Sequence, residues 1–205
     1  MLKAKHNIIV YSFFKLFTKI KLKRNFKQIF VEGKTDVLNH SVLLIANHIS
    51  WWDGFWVLHL CMNNLKKKFH FMMLEKELKK RWLFSYSGGF SISQGSKSII
   101  ESLNYSSTLL YNKNNLVLMF PQGKIKSIYN DNFIFEKGIE RIITNAGKGL
   151  KTVFLVSMID YLEFSKPNLY LFLSEYRGNA NIVDIQKAYN EFYKQCLENR
   201  KKIEI

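Results

Sequence analysis

The feature that most constrains the fold is Val42-Leu43-Leu44-Ile45-Ala46, a run with no charge and no polar side chain. It is too short for a buried helix, and Val42 and Ile45 favour extended backbone, so it reads as a strand covered on both faces. Such a strand needs helices above and below its sheet. The rest of the chain supplies them in alternation. Further strands are expected at Gln28–Glu32, Phe69–Leu74, Phe90–Ile92, Asn115–Phe120, Val153–Ile159 and Asn168–Ser174. Helical spacing marks Asp53–Asn63, Glu75–Ser85, Lys97–Tyr111 and Glu136–Asn145, the last stopped near Gly147. A final helix carries Ile185, Ala188, Tyr189, Phe192, Tyr193 and Cys196 on one face. The pattern is that of an α/β layer fold, with no internal repeat and no linker long enough to divide it.

The chain is 205 residues long, 47% of them hydrophobic, enough to bury a core without disulfides or a structural metal. Cys61 and Cys196 lie far apart on apolar positions of expected helices and read as buried hydrophobes in a reducing compartment. Charge is the unusual term. The 31 basic and 16 acidic residues give +15, and only five of the bases are arginine. A lysine-rich excess suits diffuse attraction to an anionic surface, either a membrane or a nucleic acid.

The N-terminal 27 residues separate from the remainder by charge, having no Asp or Glu. There Ile9, Val10, Phe13, Leu16, Phe17 and Ile20 recur at helical spacing, with Ser12, Lys15, Lys19 and Lys23 on the other side. A basic amphipathic helix reads as membrane-surface or partner-binding, or as a surface helix packing its stripe on the core. The expected division is residues 1–27 as this helix and 28–205 as the α/β domain. No transmembrane span is expected, because the uncharged stretch Asn7–Phe14 is far short of the ~20 residues needed. It is also a poor signal peptide, lacking a small-residue cleavage site.

Two segments carry chemistry. Asn47-His48-Ile49-Ser50-Trp51-Trp52-Asp53 follows the buried strand and opens a helix. A carboxylate can fix an imidazole tautomer and raise the basicity of its other nitrogen. On one straight helix His48 and Asp53 would diverge by ~140°, so the pair forms only with His48 in the turn and Asp53 in the first helical turn. Ser50-x-x-Asp53 also fits a capping pattern, which would make Asp53 a helix-terminus residue. The second segment, Phe120-Pro121-Gln122-Gly123-Lys124, ends another buried strand in a tight turn whose backbone N–H groups can bind an anion or oxyanion.

Together the two segments resemble the glycerolipid acyltransferase family, also called lysophospholipid acyltransferases and including the 1-acyl-glycerol-3-phosphate acyltransferases. Asn47, His48, Ser50 and Asp53 match the family's NHxSxxD block, and Phe120, Pro121 and Gly123 match its FPEG block. Gly88, Gly89, Phe90 and Ile92 are similar to a second block, and Phe135-x-x-Gly138 to a later one. The resemblance spans roughly Val31 to Ile159. It implies an acyltransferase-like α/β domain with a mixed sheet flanked by helices. It implies transfer from an acyl-thioester, on acyl carrier protein or coenzyme A, to a lysolipid hydroxyl, with His48 as general base and Asp53 orienting it. No metal, cofactor or covalent acyl-enzyme is called for, and the expected setting is peripheral, on the cytoplasmic face of the membrane.

The departures concern the acceptor. The family's second block usually ends in arginine, where this chain has Gln94, and FPEGTR here reads FPQGKI. Gln94, Pro121, Gln122, Gly123 and Lys124 are therefore the expected acceptor or oxyanion residues. Phe13, Lys15, Leu16, Phe17, Lys19 and Ile20 are the expected membrane-surface set. With both family arginines replaced, the acceptor is expected to lack a phosphomonoester. The alternatives are a lysophosphatidic acid acyltransferase of phospholipid synthesis, or a non-catalytic basic module on a membrane or a nucleic acid. Lys66-Lys67-Lys68 before Phe69 is the nearest nucleic-acid candidate, but it lies in no identifiable nucleic-acid fold, so no nucleic-acid partner is expected.

Overall fold

A computed structural model describes residues 1–93 and 95–203. Its strands are β1 (Ile29–Glu32), β2 (Ser41–Ala46), β3 (Lys68–Leu74), β4 (Gly89–Ile92), β5 (Asn115–Met119), β6 (Leu150–Asp160) and β7 (Asn168–Tyr176). The helices are α1 (Ile8–Asn25), α2 (Asp53–Leu60), α3 (Glu75–Lys80), α4 (Ser96–Leu109), α5 (Ile139–Asn145) and α6 (Ile182–Lys201). The strands form one sheet in the order β1-β7-β6-β2-β5-β3-β4. It is mixed: β6 and β7 pair antiparallel and every other neighbour is parallel.

Strand β2 sits at the centre and is buried along its whole length. Its side chains alternate between two cores, as the pleat requires. Val42, Leu44 and Ala46 join the core under α1 and α2, with Phe55, Trp56 and Leu60. Leu43 and Ile45 join the opposite core under α4, α5 and α6, with Leu103, Ile139, Ile142 and Tyr189.

Three expected helices are shorter as α-helix than the sequence indicated. Helix α2 ends at Leu60 and closes in a π-helical turn, Cys61–Leu65. Helix α3 ends at Lys80 and a 3₁₀ turn, Trp82–Tyr86, takes over. Helix α5 starts only at Ile139 because Gly138 has φ +127°, outside helical space. Gly88 is likewise obligatory: with φ +101°, a Cβ there would lie 2.1 Å from the Phe69 carbonyl oxygen.

Helix α1 is capped by the Asn7 side chain, which accepts from the N–H groups of Ile9 and Val10. It buries Phe14, Thr18 and Leu22, and sets Phe14 against Phe55 and Phe84. The anticipated apolar stripe therefore splits. Val10 and Phe17 lean on the core, whereas Ile9 (76% exposed), Phe13 (56%), Leu16 (59%) and Ile20 (49%) face outward. No described helix is long and apolar enough to cross a membrane.

Candidate active site

β2 lies between β5 and β6, parallel to both, with Ile45 opposite Met119 and Phe154. The chain therefore leaves β2 and β5 at the same end of the sheet, beyond the carboxyl ends of parallel strands, where α/β folds place ligands. Asn47 ties this end to β6: its Nδ2 donates to the Ser157 carbonyl at 2.9 Å, and its Oδ1 accepts from the Ser157 N–H at 2.8 Å. Both residues are buried.

His48 follows, in the turn. Its backbone N–H donates to Gln122 Oε1 at 2.7 Å, and its carbonyl accepts from the Lys126 N–H at 2.8 Å. The loop after β5 thus grips the His48 peptide on both sides. The ring stacks on Phe120, with centroids 4.0 Å apart and planes 10° from parallel. Backbone and ring are both fixed, so the imidazole has one orientation.

Asp53 opens α2 and is 2% exposed, against 21% for His48. Its Oδ2 accepts from His48 Nδ1–H at 2.8 Å and from the N–H groups of Ile49 and Ser50 at 2.8 and 3.0 Å. A carboxylate accepting from Nδ1–H leaves the Nε2 lone pair free, which is the tautomer a general base needs. Burial raises the Asp53 carboxyl above the usual carboxylate range, opposed by the bonds from His48, Ser50 and Ile49. The capping reading is half right. Asp53 does reach back to the Ser50 N–H, but Ser50 Oγ accepts from Trp52 and not from Asp53. One oxygen both closes the turn and holds the imidazole.

The pair opens on a cavity of about 920 Å³ whose lining includes His48. Its walls are mainly apolar, with Phe55, Leu58, Phe69, Phe71, Met73 and Leu118 reaching down between α2 and the sheet. Pro121, Gly123 and Lys124 line the mouth, together with Glu136 and Lys137. Gln122 is placed differently: it is 5% exposed, does not line the cavity, and holds His48 in position. Gln94 lies outside the described residues, while its neighbours Ile92 and Ser93 line the cavity. Phe13, Lys15, Leu16, Lys19 and Ile20 are exposed on α1, and Phe17 packs on Trp52 and Phe55.

Sequence reasoning missed the cavity wall, because its residues come from segments scattered along the chain and read singly as core. It also missed the Phe120 stack and the Asn47–Ser157 pairing. Among the described residues no group of three or more His, Cys, Asp or Glu side chains is placed to hold a metal ion.

Comparison with known proteins gives the family and the fold. The family model described as acyltransferase matches residues 28–159. No curated protein matches the chain at a significant level. Among solved structures, the fold is similar to the 1-acyl-sn-glycerophosphate (LPA) acyltransferase PlsC from Thermotoga maritima, with a TM-score of 0.62 at 18% identity. That match covers 95% of this chain and 81% of the other.

Proposed function

The chain belongs to the acyltransferase family, and on that premise we propose that it moves a fatty acyl group from an acyl-thioester to the hydroxyl of a lysolipid. The observation that carries this reading is the His48–Asp53 pair, 2.8 Å apart, opening on a mainly apolar cavity of about 920 Å³ that offers an acyl chain a place out of water. His48 Nε2 takes the proton of the acceptor hydroxyl as its oxygen attacks the thioester carbonyl. Asp53 stabilises the imidazolium that forms. The Gly123 N–H is taken by the Phe120 carbonyl, so the tetrahedral oxyanion is met by the backbone N–H groups that follow it in the turn, at Lys124 and Ile125. It collapses with loss of the thiolate, which takes the proton back from His48. Ester and free thiol leave, and no bond to the protein is made. The donor is an acyl carrier protein or coenzyme A thioester.

The protein works at the cytoplasmic face of a membrane, attached peripherally through α1. The outward Phe13, Leu16 and Ile20 supply the apolar contact, and Lys15 and Lys19 beside them the attraction to anionic headgroups.

The acceptor lacks a phosphomonoester. No arginine is among the described residues lining the cavity, whose lining does include Lys124, Lys137 and the carboxylate of Glu136. A phosphomonoester favours arginine forks, whereas a mixed-charge mouth suits an amide or hydroxyl headgroup. A competition assay between lysophosphatidic acid and a mono-acylated amino-acid lipid tests this, with the larger kcat/KM expected for the latter. A larger value for lysophosphatidic acid, falling sharply in Lys124→Ala, makes the protein a lysophosphatidic acid acyltransferase with lysine holding the phosphate.

A further inference from the structure

A second cavity, of about 460 Å³, opens at the other end of α1 from Trp52, where the π turn after α2 runs into β3. Four lysines line it, Lys15, Lys66, Lys67 and Lys68, and no carboxylate does. None of the four makes an ion pair among the described residues. Like charges gathered without a counter-charge repel one another, so the arrangement is destabilising until an anion arrives.

Lys67 is buried, its ammonium held by the carbonyls of Leu38 at 3.0 Å and Lys113 at 2.8 Å. Neither Leu38 nor Lys113 lines the cavity, so this ammonium is engaged elsewhere and the charge free to meet an anion comes from Lys15, Lys66 and Lys68. Burial, aided by Lys113, pushes that ammonium below its usual range. Lys66 adopts the left-handed region, φ +51° and ψ +47°, which a lysine rarely enters and which turns the chain sharply at the cavity rim. Lys66 and Lys68 remain exposed on either side of buried Lys67.

The cavity also joins the outward face of α1. Ile8, 81% exposed, lines it, one residue before the outward-facing set Ile9, Phe13, Leu16 and Ile20. At 100° per residue Lys15, Lys19 and Lys23 form a strip between that apolar set and the cavity side of the helix. An amphiphile with an anionic head meets the matching order of surfaces, charge in the cavity and hydrocarbon along the helix.

We propose that this cavity seats the phosphate group of an anionic phospholipid, docking the protein on the membrane at a point separate from the catalytic cavity. The proposal rests on the membrane attachment through α1 given above and adds a headgroup site to it. A free phosphate shares the charge but not the hydrocarbon, so the two sources separate by experiment.

The test uses the full chain and vesicles of phosphatidylcholine with and without phosphatidylglycerol. The double variant Lys66→Ser, Lys68→Ser should lose about thirtyfold in affinity for the anionic vesicles, from about fivefold per lysine near such a surface. Its affinity for neutral vesicles should change less than twofold. Lys187→Ser with Lys194→Ser, which removes the same charge from exposed positions of α6, should have a much smaller effect. Equal losses in the two double variants would overturn the proposal in favour of diffuse attraction. Unchanged anionic binding in the Lys66, Lys68 variant would overturn it while leaving attachment through α1 intact. Failure of the unmodified protein to bind either vesicle would remove the attachment itself. Amide resonances of residues 66–68 should shift with short-chain phosphatidylglycerol at concentrations where inorganic phosphate leaves them unmoved; equal response to both makes the cavity a free-phosphate site and overturns the lipid assignment.

Discussion

Asp53→Asn separates the two tasks that one carboxylate performs. All three donors, His48 Nδ1–H and the N–H groups of Ile49 and Ser50, converge on Oδ2, while Oδ1 is buried without a partner. An asparagine with its carbonyl oxygen in the Oδ2 position keeps every acceptor, now neutral, and puts its NH2 where Oδ1 was. Burying that unpaired amide costs ~1–3 kcal/mol, offset by relief of the carboxylate's own burial, so the melting temperature should move only slightly. Catalysis should suffer far more, because the negative charge that steadies the imidazolium is gone. The expected loss in kcat is ~10²–10⁴, with KM within a few-fold. The stability difference should itself depend on pH. Burial raises the Asp53 carboxyl, so the ionised form penalises the folded state above its folded pKa. That penalty disappears as pH falls from the folded pKa toward the unfolded value of ~3.9, so the variant should compare better with the parent near neutrality than near about pH 4. Steady-state kinetics with an acyl-thioester, together with thermal melts at both pH values, read all three quantities. A variant that melts far lower yet keeps near-normal turnover per folded molecule would refute the orienting role and leave Asp53 as a cap.

Asn47→Ala strands the buried N–H and C=O of Ser157 and should cost about 2–4 kcal/mol in urea unfolding. It should also lower kcat of the molecules still folded, because the end of β2 that carries His48 is no longer tied to β6. On α1, Phe14→Ala should cost ~3–5 kcal/mol by opening a hole against Phe55 and Phe84. Phe13→Ala, one residue away and 56% exposed, should leave unfolding nearly unchanged and weaken vesicle co-sedimentation instead. If the two exchange phenotypes, the helix faces are assigned the wrong way round.

The parts legible in the sequence are those set by local pattern. Val42–Ala46 announces a doubly covered strand, and the spacing of His48 and Asp53 works only across a strand–turn–helix, which is what forms. α1 shows where pattern reading stops. Apolar residues lie on most sides of this helix, so periodicity finds the helix but cannot decide which face the core takes; Phe14, Thr18 and Leu22 take it, a set that includes a threonine. Strand order was equally hidden, since the β1–β7 and β2–β6 pairings join segments far apart in the chain. Gln122 shows a different limit. A polar residue in a turn beside a catalytic loop looks like a ligand for substrate, and only the three-dimensional path of the turn shows it accepting from the His48 backbone N–H.

The central claim is that His48, held by Asp53, moves an acyl group from a thioester to a lipid hydroxyl. Incubating the purified protein with labelled acyl-thioester on acyl carrier protein and a lysolipid mixture, then weighing the new lipid by mass spectrometry, tests it most directly. The account predicts one acyl ester formed on the lipid, no label on the protein, and loss of the product in a folded His48→Ala variant. Near-normal turnover in that variant with every acceptor tried, or label retained covalently on the protein, would contradict it.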